Sequence, residues 1–306
     1  MNESIIYWNC ASGLMHKRHI INDYIAEMKP ELFFIAEANV DSTMNLDLLN
    51  VTNYTIYTSG TIKDNYKARI LVLAKDGWKL ISQFMSDTDE LIIMEKNDLT
   101  VIGIYRPFKK LKNETARGNL ERLLNKIQNY TDQNINRKII ITGDFNVDYN
   151  RIGDKRYQCY HLANMIMDFQ VKNNLEQKIK GLTRHRLINK DGNQFLQTSL
   201  LDHVYSNSLI IEDTITHPTI ASDHDIIQIK IIGKTKTTTE IKYVRDWRKY
   251  TGEKLKQEVI KSDWNLITNT SDLTTLNDRI EQSLRTAYDK IVPWRRLRTR
   301  NSDYRS

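Results

Sequence analysis

Apolar residues along this chain gather into short runs that stop abruptly at a polar side chain. Ser4-Ile5-Ile6-Tyr7-Trp8 ends at Asn9, Leu32-Phe33-Phe34-Ile35-Ala36 ends at Glu37, and Arg137-Lys138-Ile139-Ile140-Ile141-Thr142 ends at Gly143-Asp144-Phe145-Asn146. Runs this short, bounded by turn formers, predict strands covered on both faces rather than helices. Leu99-Thr100-Val101-Ile102-Gly103-Ile104 predicts another, closed by Tyr105-Arg106-Pro107-Phe108, since Pro107 cannot continue a ladder. Further strands are predicted at 54–58, 68–74, 78–84 and 91–95, in the segment 199–207, and over Ile226-Ile227-Gln228-Ile229.

Between the first two runs, Ile20, Ile21, Tyr24, Ile25 and Met28 recur at helical spacing with Pro30 beyond them, so the opening stretch reads strand, helix, strand. The same spacing returns at Leu120, Leu123, Leu124 and Ile127, and at Tyr160, Leu162, Ala163, Ile166, Met167 and Phe169, which predicts two outer helices. Gly233-Lys234-Thr235-Lys236-Thr237-Thr238-Thr239 lacks large apolar residues and ends the first domain. Domains are therefore expected at 1–235 and 236–306, the second with helices around 255–260 and 276–291.

The polar strand ends carry the chemistry. An isolated carboxylate taken out of water must neutralise or find a cation. Asp144 and Asn146, two apart in an extended segment, project to one side, and Gly143 permits an unusual backbone angle or a close approach beside them. Taken alone, that tetrapeptide also reads as an ordinary polar turn. Asp202 sits inside another predicted strand, and its neighbour His203 should point to the opposite face and be structural. His161, His185 and His217 read as satisfied or solvated.

The ordered set Asn9, Glu37, Tyr105, Gly143-Asp144-Phe145-Asn146, Asp202 and Ser222-Asp223-His224 resembles the endonuclease/exonuclease/phosphatase superfamily over about residues 3 to 232. It looks most like the apurinic-type endonuclease domain of non-LTR retrotransposon polyproteins. The resemblance implies an α+β fold, a four-layer α/β/β/α sandwich of two mostly antiparallel sheets, here with a helical C-terminal extension. It makes Glu37 the main metal ligand with Asn9 beside it. Asp144 would orient or deprotonate the attacking water, and Asn146 would hold the phosphate or the nucleophile in line. His224, polarised by Asp202, would contact the scissile phosphate, Asp223 would complete the acidic floor, and Tyr105 would donate to a phosphate oxygen. Gly181-Leu182-Thr183-Arg184 and Ser199 match segments implicated in substrate binding, so Thr183, Arg184 and Ser199 are expected phosphate partners. One departure stands out: Cys10-Ala11-Ser12-Gly13-Leu14 lacks the Asn-x-Asn-Gly or basic residue common in the family after Asn9.

Such a donor set suits a hard cation, magnesium with manganese as the alternative, because these prefer oxygen ligands and keep several waters. Cys10 and Cys159 with seven histidines form no C-x-x-C or H-E-x-x-H spacing, which argues against zinc, and two cysteines make no disulfide framework. The 40% hydrophobic content of 306 residues builds one substantial core and a small addition. No window reads as a membrane span, and the start lacks the basic-then-apolar pattern of a signal peptide. An intracellular protein is expected, nuclear if the family function applies.

Charge is uneven. From residue 240 onward 15 Lys and Arg face 10 Asp and Glu, against 30 and 28 before it. The stretch Trp294-Arg295-Arg296-Leu297-Arg298-Thr299-Arg300 reads equally as a phosphate-binding cluster or a solvated end. Tyr243-Val244-Arg245-Asp246-Trp247-Arg248-Lys249-Tyr250, Asp263-Trp264 and Tyr288-Asp289-Lys290-Ile291-Val292-Pro293 look like the linker to a reverse transcriptase, which would make the chain part of a longer polyprotein. The expected activity is nicking of one strand of double-stranded DNA to leave a 3′-hydroxyl that primes reverse transcription. Element RNA and the reverse-transcriptase domain would be its further partners. Three rivals remain: an abasic-site or 3′-exonuclease repair enzyme, an inositol or lipid phosphatase, and an idle nucleic-acid-binding module.

Overall fold

The structure, a computed structural model, describes residues 3–49, 51–62, 67–108, 115–190, 192–232, 242–262, 264 and 272–297. The chain divides into two units, residues 1–167 with 175–235, and residues 168–174 with 236–306. In chain order the strands up to residue 232 are β1 (Glu3–Asn9), β2 (Leu32–Val40), β3 (Tyr54–Thr58), β4 (Ala68–Lys75), β5 (Lys79–Met85), β6 (Glu90–Lys96), β7 (Leu99–Tyr105), β8 (Lys138–Asp144), β9 (Glu176–Gln177), β10 (Arg184–Lys190), β11 (Asn193–Ser199), β12 (Asp202–Ser206), β13 (Ile211–His217) and β14 (Ile226–Ile231). Helices α1 (Arg18–Met28), α2 (Ala116–Gln133) and α3 (Tyr160–Lys172) connect them.

Two six-stranded sheets result, ordered β13-β14-β1-β2-β4-β3 and β5-β6-β7-β8-β12-β9. Their pairing is antiparallel except at β1–β2 and β7–β8. Strand β1 shows why both faces are apolar. Ile5 and Tyr7 enter one core with Phe34, Val72, Ile92, Met94, Val101 and Ile140, drawn from both sheets. Ile6 and Trp8 point the other way, into a core with Phe33, Ile35, Ile21 and Ile25, the last two from α1. The period-2 alternation of a continuously apolar run thus separates the space between the sheets from the space under a helix. At Gly103 a Cβ would fall 2.3 Å from Phe34 Cδ1 of the facing sheet, so the sheets meet closely there. This is the four-layer α+β sandwich expected from the sequence.

Some strands escaped the hydrophobic pattern. The β10–β11 hairpin pairs Arg184 with Ser199 through to Lys190 with Asn193, and β11 is exposed along nearly its whole length, so ladder hydrogen bonds rather than burial define it. Strand β13 is likewise a half-exposed strand at the sheet edge. The segment 199–207, expected to be one strand, is two. Side-chain acceptors turn the backbone between them: Asp148 Oδ1 takes the Leu200 N–H, and Thr183 Oγ1 takes the N–H groups of Leu201 and Asp202.

In the second unit, β15 (Lys242–Arg245) pairs antiparallel with β16 (Trp294–Leu297), enclosing α4 (Gly252–Ile260) and α5 (Leu273–Ile291) in the chain. Asp272 caps α5 by accepting from the N–H groups of Thr274 and Thr275. Trp247 meets Tyr250 and Tyr288 edge to face. The polar linker 233–239, Asp263 and the basic residues from Arg298 onward lie outside the described residues. Among the described residues no helix is long and apolar enough to cross a membrane.

Candidate active site

Strand direction gathers the polar ends at one rim. The parallel β1–β2 pair sets Asn9 beside Ala36, one residue before Glu37, and the parallel β7–β8 pair sets Tyr105 beside Asp144. Antiparallel β12 then places Asp202 directly across from Asp144. Asn9 joins the two sheets. It is fully buried, its Nδ2 donates to Glu37 Oε1 at 3.0 Å and to Asp144 Oδ2 at 2.9 Å, and its Oδ1 accepts from the Ala11 N–H at 3.0 Å. Its amide therefore turns its donor face to the two carboxylates.

Unusual backbone concentrates at this rim. Ala11, Ser12, Glu37, Asn39 and Asn146, five of the nine non-glycine residues with positive φ among those described, lie within two residues of either Glu37 or Asp144 or in the loop after Asn9. At Ala11, Ser12 and Glu37 this costs about 1–2 kcal/mol relative to ordinary conformations, less at the two asparagines, and such strain collects where side chains must be aimed. Glu37 reaches its φ of 53° where the β2–β4 register shifts between Ala36 and Val40. Gly143 has a different reason. A Cβ there would fall 2.1 Å from the Ile104 carbonyl oxygen, so only glycine lets β8 deliver Asp144 this close to β7.

Asp144 is 1% exposed and its carboxyl is pushed up to about 7, first by burial and then by Asp202, while His224, the Asn146 N–H and Asn9 pull it back. Asn146 holds it from both ends of the turn: its N–H donates to Asp144 Oδ1 at 2.8 Å, and its Nδ2 donates to Asp144 Oδ2 at 3.2 Å and to the Arg106 carbonyl at 2.7 Å. Buried Arg106 braces the same turn through Nη1 to the Phe145 carbonyl, with its own N–H on the Asp144 carbonyl. The sequence marked Arg106 only as part of a strand-ending motif; nothing in its spacing signalled this bracing.

His224 Nδ1 lies 2.7 Å from Asp202 Oδ2, both buried. Burial works against the imidazolium, but the Asp202 charge and hydrogen bond overcome it, with Asp144 and Asp223 adding, and the pKa rises to about 9. Ser222 ties this segment to β1, donating from Oγ to the Asn9 carbonyl at 2.8 Å and accepting the His224 N–H. The base of the β10–β11 hairpin clasps it from the other side. Arg184 Nε donates to Asp223 Oδ2 at 2.9 Å, and His185 Nε2 lies 3.2 Å from Asp225 Oδ2. Burial would raise the Asp223 pKa, but Arg184 and His224 bring it below its ordinary value.

The expected phosphate partners take varied places. Thr183 is fully buried with its Oγ1 accepting from Leu201 and Asp202, so in this arrangement it positions Asp202. Arg184 is engaged with Asp223, and half-buried Ser199 accepts the Thr183 N–H through its carbonyl. Tyr105 is buried, and burial followed by the charges of Glu37 and Asp144, which its hydroxyl faces, pushes its pKa far up. His203 faces away: its Nε2 meets the Val147 carbonyl at 2.9 Å, its ring stacks on Phe145, and burial lowers its pKa to about 4.

A divalent cation fits this donor set. Half-buried Glu37 and buried Asp144 offer hard carboxylate oxygens drawn together on one amide, and Asp202 Oδ1 is a buried acceptor with no hydrogen-bond partner among the described residues. Asp144, Asp202 and His224 also bring their ligand atoms within 4.8 Å of one another, but a cation on His224 Nδ1 would have to displace the proton shared with Asp202.

Residues 99–228 match the model of a family described as endonuclease-reverse transcriptase. A search of the curated proteins finds no match. Among solved structures, the endonuclease domain of TRAS1, a telomere-specific non-LTR retrotransposon, superposes with a TM-score of 0.54 at 14% identity, over 76% of this chain and 100% of that one. The 3′ phosphatase NExo from Neisseria, bound to a product DNA hairpin, gives 0.54 at 12% identity over 76% and 100%. An AP endonuclease from Archaeoglobus fulgidus gives 0.54 at 14% identity over 75% and 99%. At these identities the likeness is one of fold. The chain thus has the sandwich fold of the endonuclease/exonuclease/phosphatase proteins, with a match to the endonuclease-reverse transcriptase family running from β7 to β14.

Proposed function

We propose that the chain is a divalent-metal-dependent DNA endonuclease that nicks one strand by in-line attack of water and leaves a 3′-hydroxyl. The observation that carries this reading is the convergence of Asn9, Glu37, Asp144, Asp202 and His224 at one rim, linked by the hydrogen bonds of Asn9 and of the His224–Asp202 pair. Glu37 and Asp144 would hold magnesium, or manganese, which when bound neutralises phosphate charge and makes water more acidic. Asp144, aimed by Asn9 and Asn146, accepts the proton of the attacking water. His224 gives Nδ1–H to Asp202, and as an imidazolium it has Nε2–H to donate to a phosphate oxygen. Tyr105 holds Glu37, and Asp223 anchors Arg184 beside the histidine.

The likeness to a retrotransposon endonuclease supports a finer reading, in which the nick primes reverse transcription in the nucleus and residues 236–306 form a basic, partly helical linker toward a reverse transcriptase and element RNA. Supercoiled-plasmid nicking with and without EDTA tests substrate class and metal dependence together. Glu37→Ala, Asp144→Ala and His224→Ala should each abolish nicking in a folded protein, and nicking that persists in two of them overturns the assignment. Preference for an abasic over an intact duplex would favour a repair enzyme, and release of inorganic phosphate from an inositol phosphate would favour a phosphatase. Deleting residues 240–306 should spare cleavage and weaken salt-sensitive DNA binding.

A further inference from the structure

A polar chain outside the residues so far assigned runs into the site from between the strands. Glu90 opens β6, directly across the ladder from Tyr105, and is fully buried. Its carboxylate accepts the Ser59 hydroxyl, the Arg69 N–H at 2.8 Å, the Ile70 N–H at 3.0 Å and Arg69 Nε at 2.8 Å. A buried carboxylate so fully satisfied is a rigid anchor, because any displacement leaves charge unpaired out of water. Arg69 is held further by Nη1 on the Asp87 carbonyl at 3.1 Å and Nη2 on the Ser86 carbonyl. Fixed on three sides, its guanidinium carbon stands 5.3 Å over the Tyr105 ring. The Tyr105 hydroxyl in turn faces the Glu37 carboxylate closely enough to feel its charge.

We infer that Arg69, anchored by Glu90, is a positioning residue for the proposed reaction: it holds the Tyr105 ring so that the phenol fixes the metal-side carboxylate of Glu37. Stacking over a ring face is where a guanidinium binds an aromatic best, and Lys in its place would lack the planar fork that serves Glu90 and two carbonyls at once. Tyr105 lies at the end of β7, at the margin of the core between the sheets, and Arg69 covers the ring face turned toward the site, completing the packing that fixes its phenol.

The inference rests on the nuclease reading for its kinetic part only, so two measurements are paired. In the protein labelled with 3-fluorotyrosine, the Tyr105 resonance is identified by its loss in Tyr105→Phe. Arg69→Met should shift or broaden that resonance while leaving tyrosines remote from Arg69, such as Tyr130 and Tyr160, unmoved. In plasmid nicking, Arg69→Met should lower kcat about fivefold with KM unchanged, and the same substitution should have no further effect in the Tyr105→Phe background. Arg69→Lys, which keeps the charge, serves if Arg69→Met does not fold and should give the same two signatures in weaker form. An unmoved Tyr105 resonance, or losses from the two sites that multiply in the double variant, overturns the inference. Absence of nicking in the unaltered protein would instead sink the nuclease reading and leave the spectroscopic result standing.

Discussion

Asp202 faces Asp144 directly across the antiparallel β8–β12 ladder, both essentially out of water. Like charges opposed across a ladder destabilise it, the more so when buried. The protein meets this by letting His224 share a proton with Asp202 and by letting the Asp144 carboxyl rise to about 7.

Removing one charge from that pair should therefore separate stability from activity. Asp144→Asn keeps the shape and relieves the repulsion, but its amide nitrogen must face a donor from Asn9 or Asn146, so the two effects offset and thermal unfolding should shift little, while plasmid nicking falls about a thousandfold with the loss of the proton acceptor. A lowered melting temperature together with near-normal nicking would show that Asp144 is a structural group.

His224 sets a limit at high pH. Its folded pKa of about 9 stands above its ordinary 6.5, so the stability it contributes is fully present below 6.5 and is lost as pH rises through 9. Nicking should decline across the same upper range as the imidazolium donor disappears. Denaturant unfolding between pH 6 and 10 in the unaltered protein and in His224→Gln checks the first effect; identical pH slopes in the two would refute it.

His203 sets a limit at low pH with the opposite sign. Burial lowers its pKa from 6.5 to about 4, so the unfolded chain binds a proton that the folded one refuses. Its stabilising contribution is present above 6.5 and is lost as pH falls through 4. His203→Gln should flatten acid unfolding over that interval without altering the pH dependence of nicking.

Gly143→Ala should damage both fold and site. The new Cβ would collide with the Ile104 carbonyl, and separating β8 from β7 at that point costs about 2–3 kcal/mol. Because Asp144 is the next residue, kcat should fall more than KM rises. Unchanged kcat in this variant would mean that the carboxylate position tolerates such displacement.

The runs that became β1, β2, β7 and β8 were legible because both faces of each are buried, and burial writes itself into the hydrophobic pattern. Asn9, Glu37, Asp144 and Asp202 were legible because polar groups at the ends of such strands need a reason. Strands β10 and β11 were not, since a hairpin held by ladder bonds in solvent leaves no apolar period. The burial of Thr183 and the bracing by Arg106 and Ser222 depend on contacts across many residues of sequence, for which no local pattern exists. The expected direction of the His203 side chain followed from simple alternation along β12, and the ring does turn away from the site.

The two parallel pairs have a consequence for how such a molecule can change. They aim the chemical groups from ladder registers that the cores lock, and the loop after Asn9 is pinned to one core by Cys10 and Leu14, whereas the β10–β11 hairpin enters neither. The exposed length of that hairpin, beyond the clasp made by Arg184 and His185 at its base, can therefore be rewritten without disturbing the registers that bring the polar strand ends together.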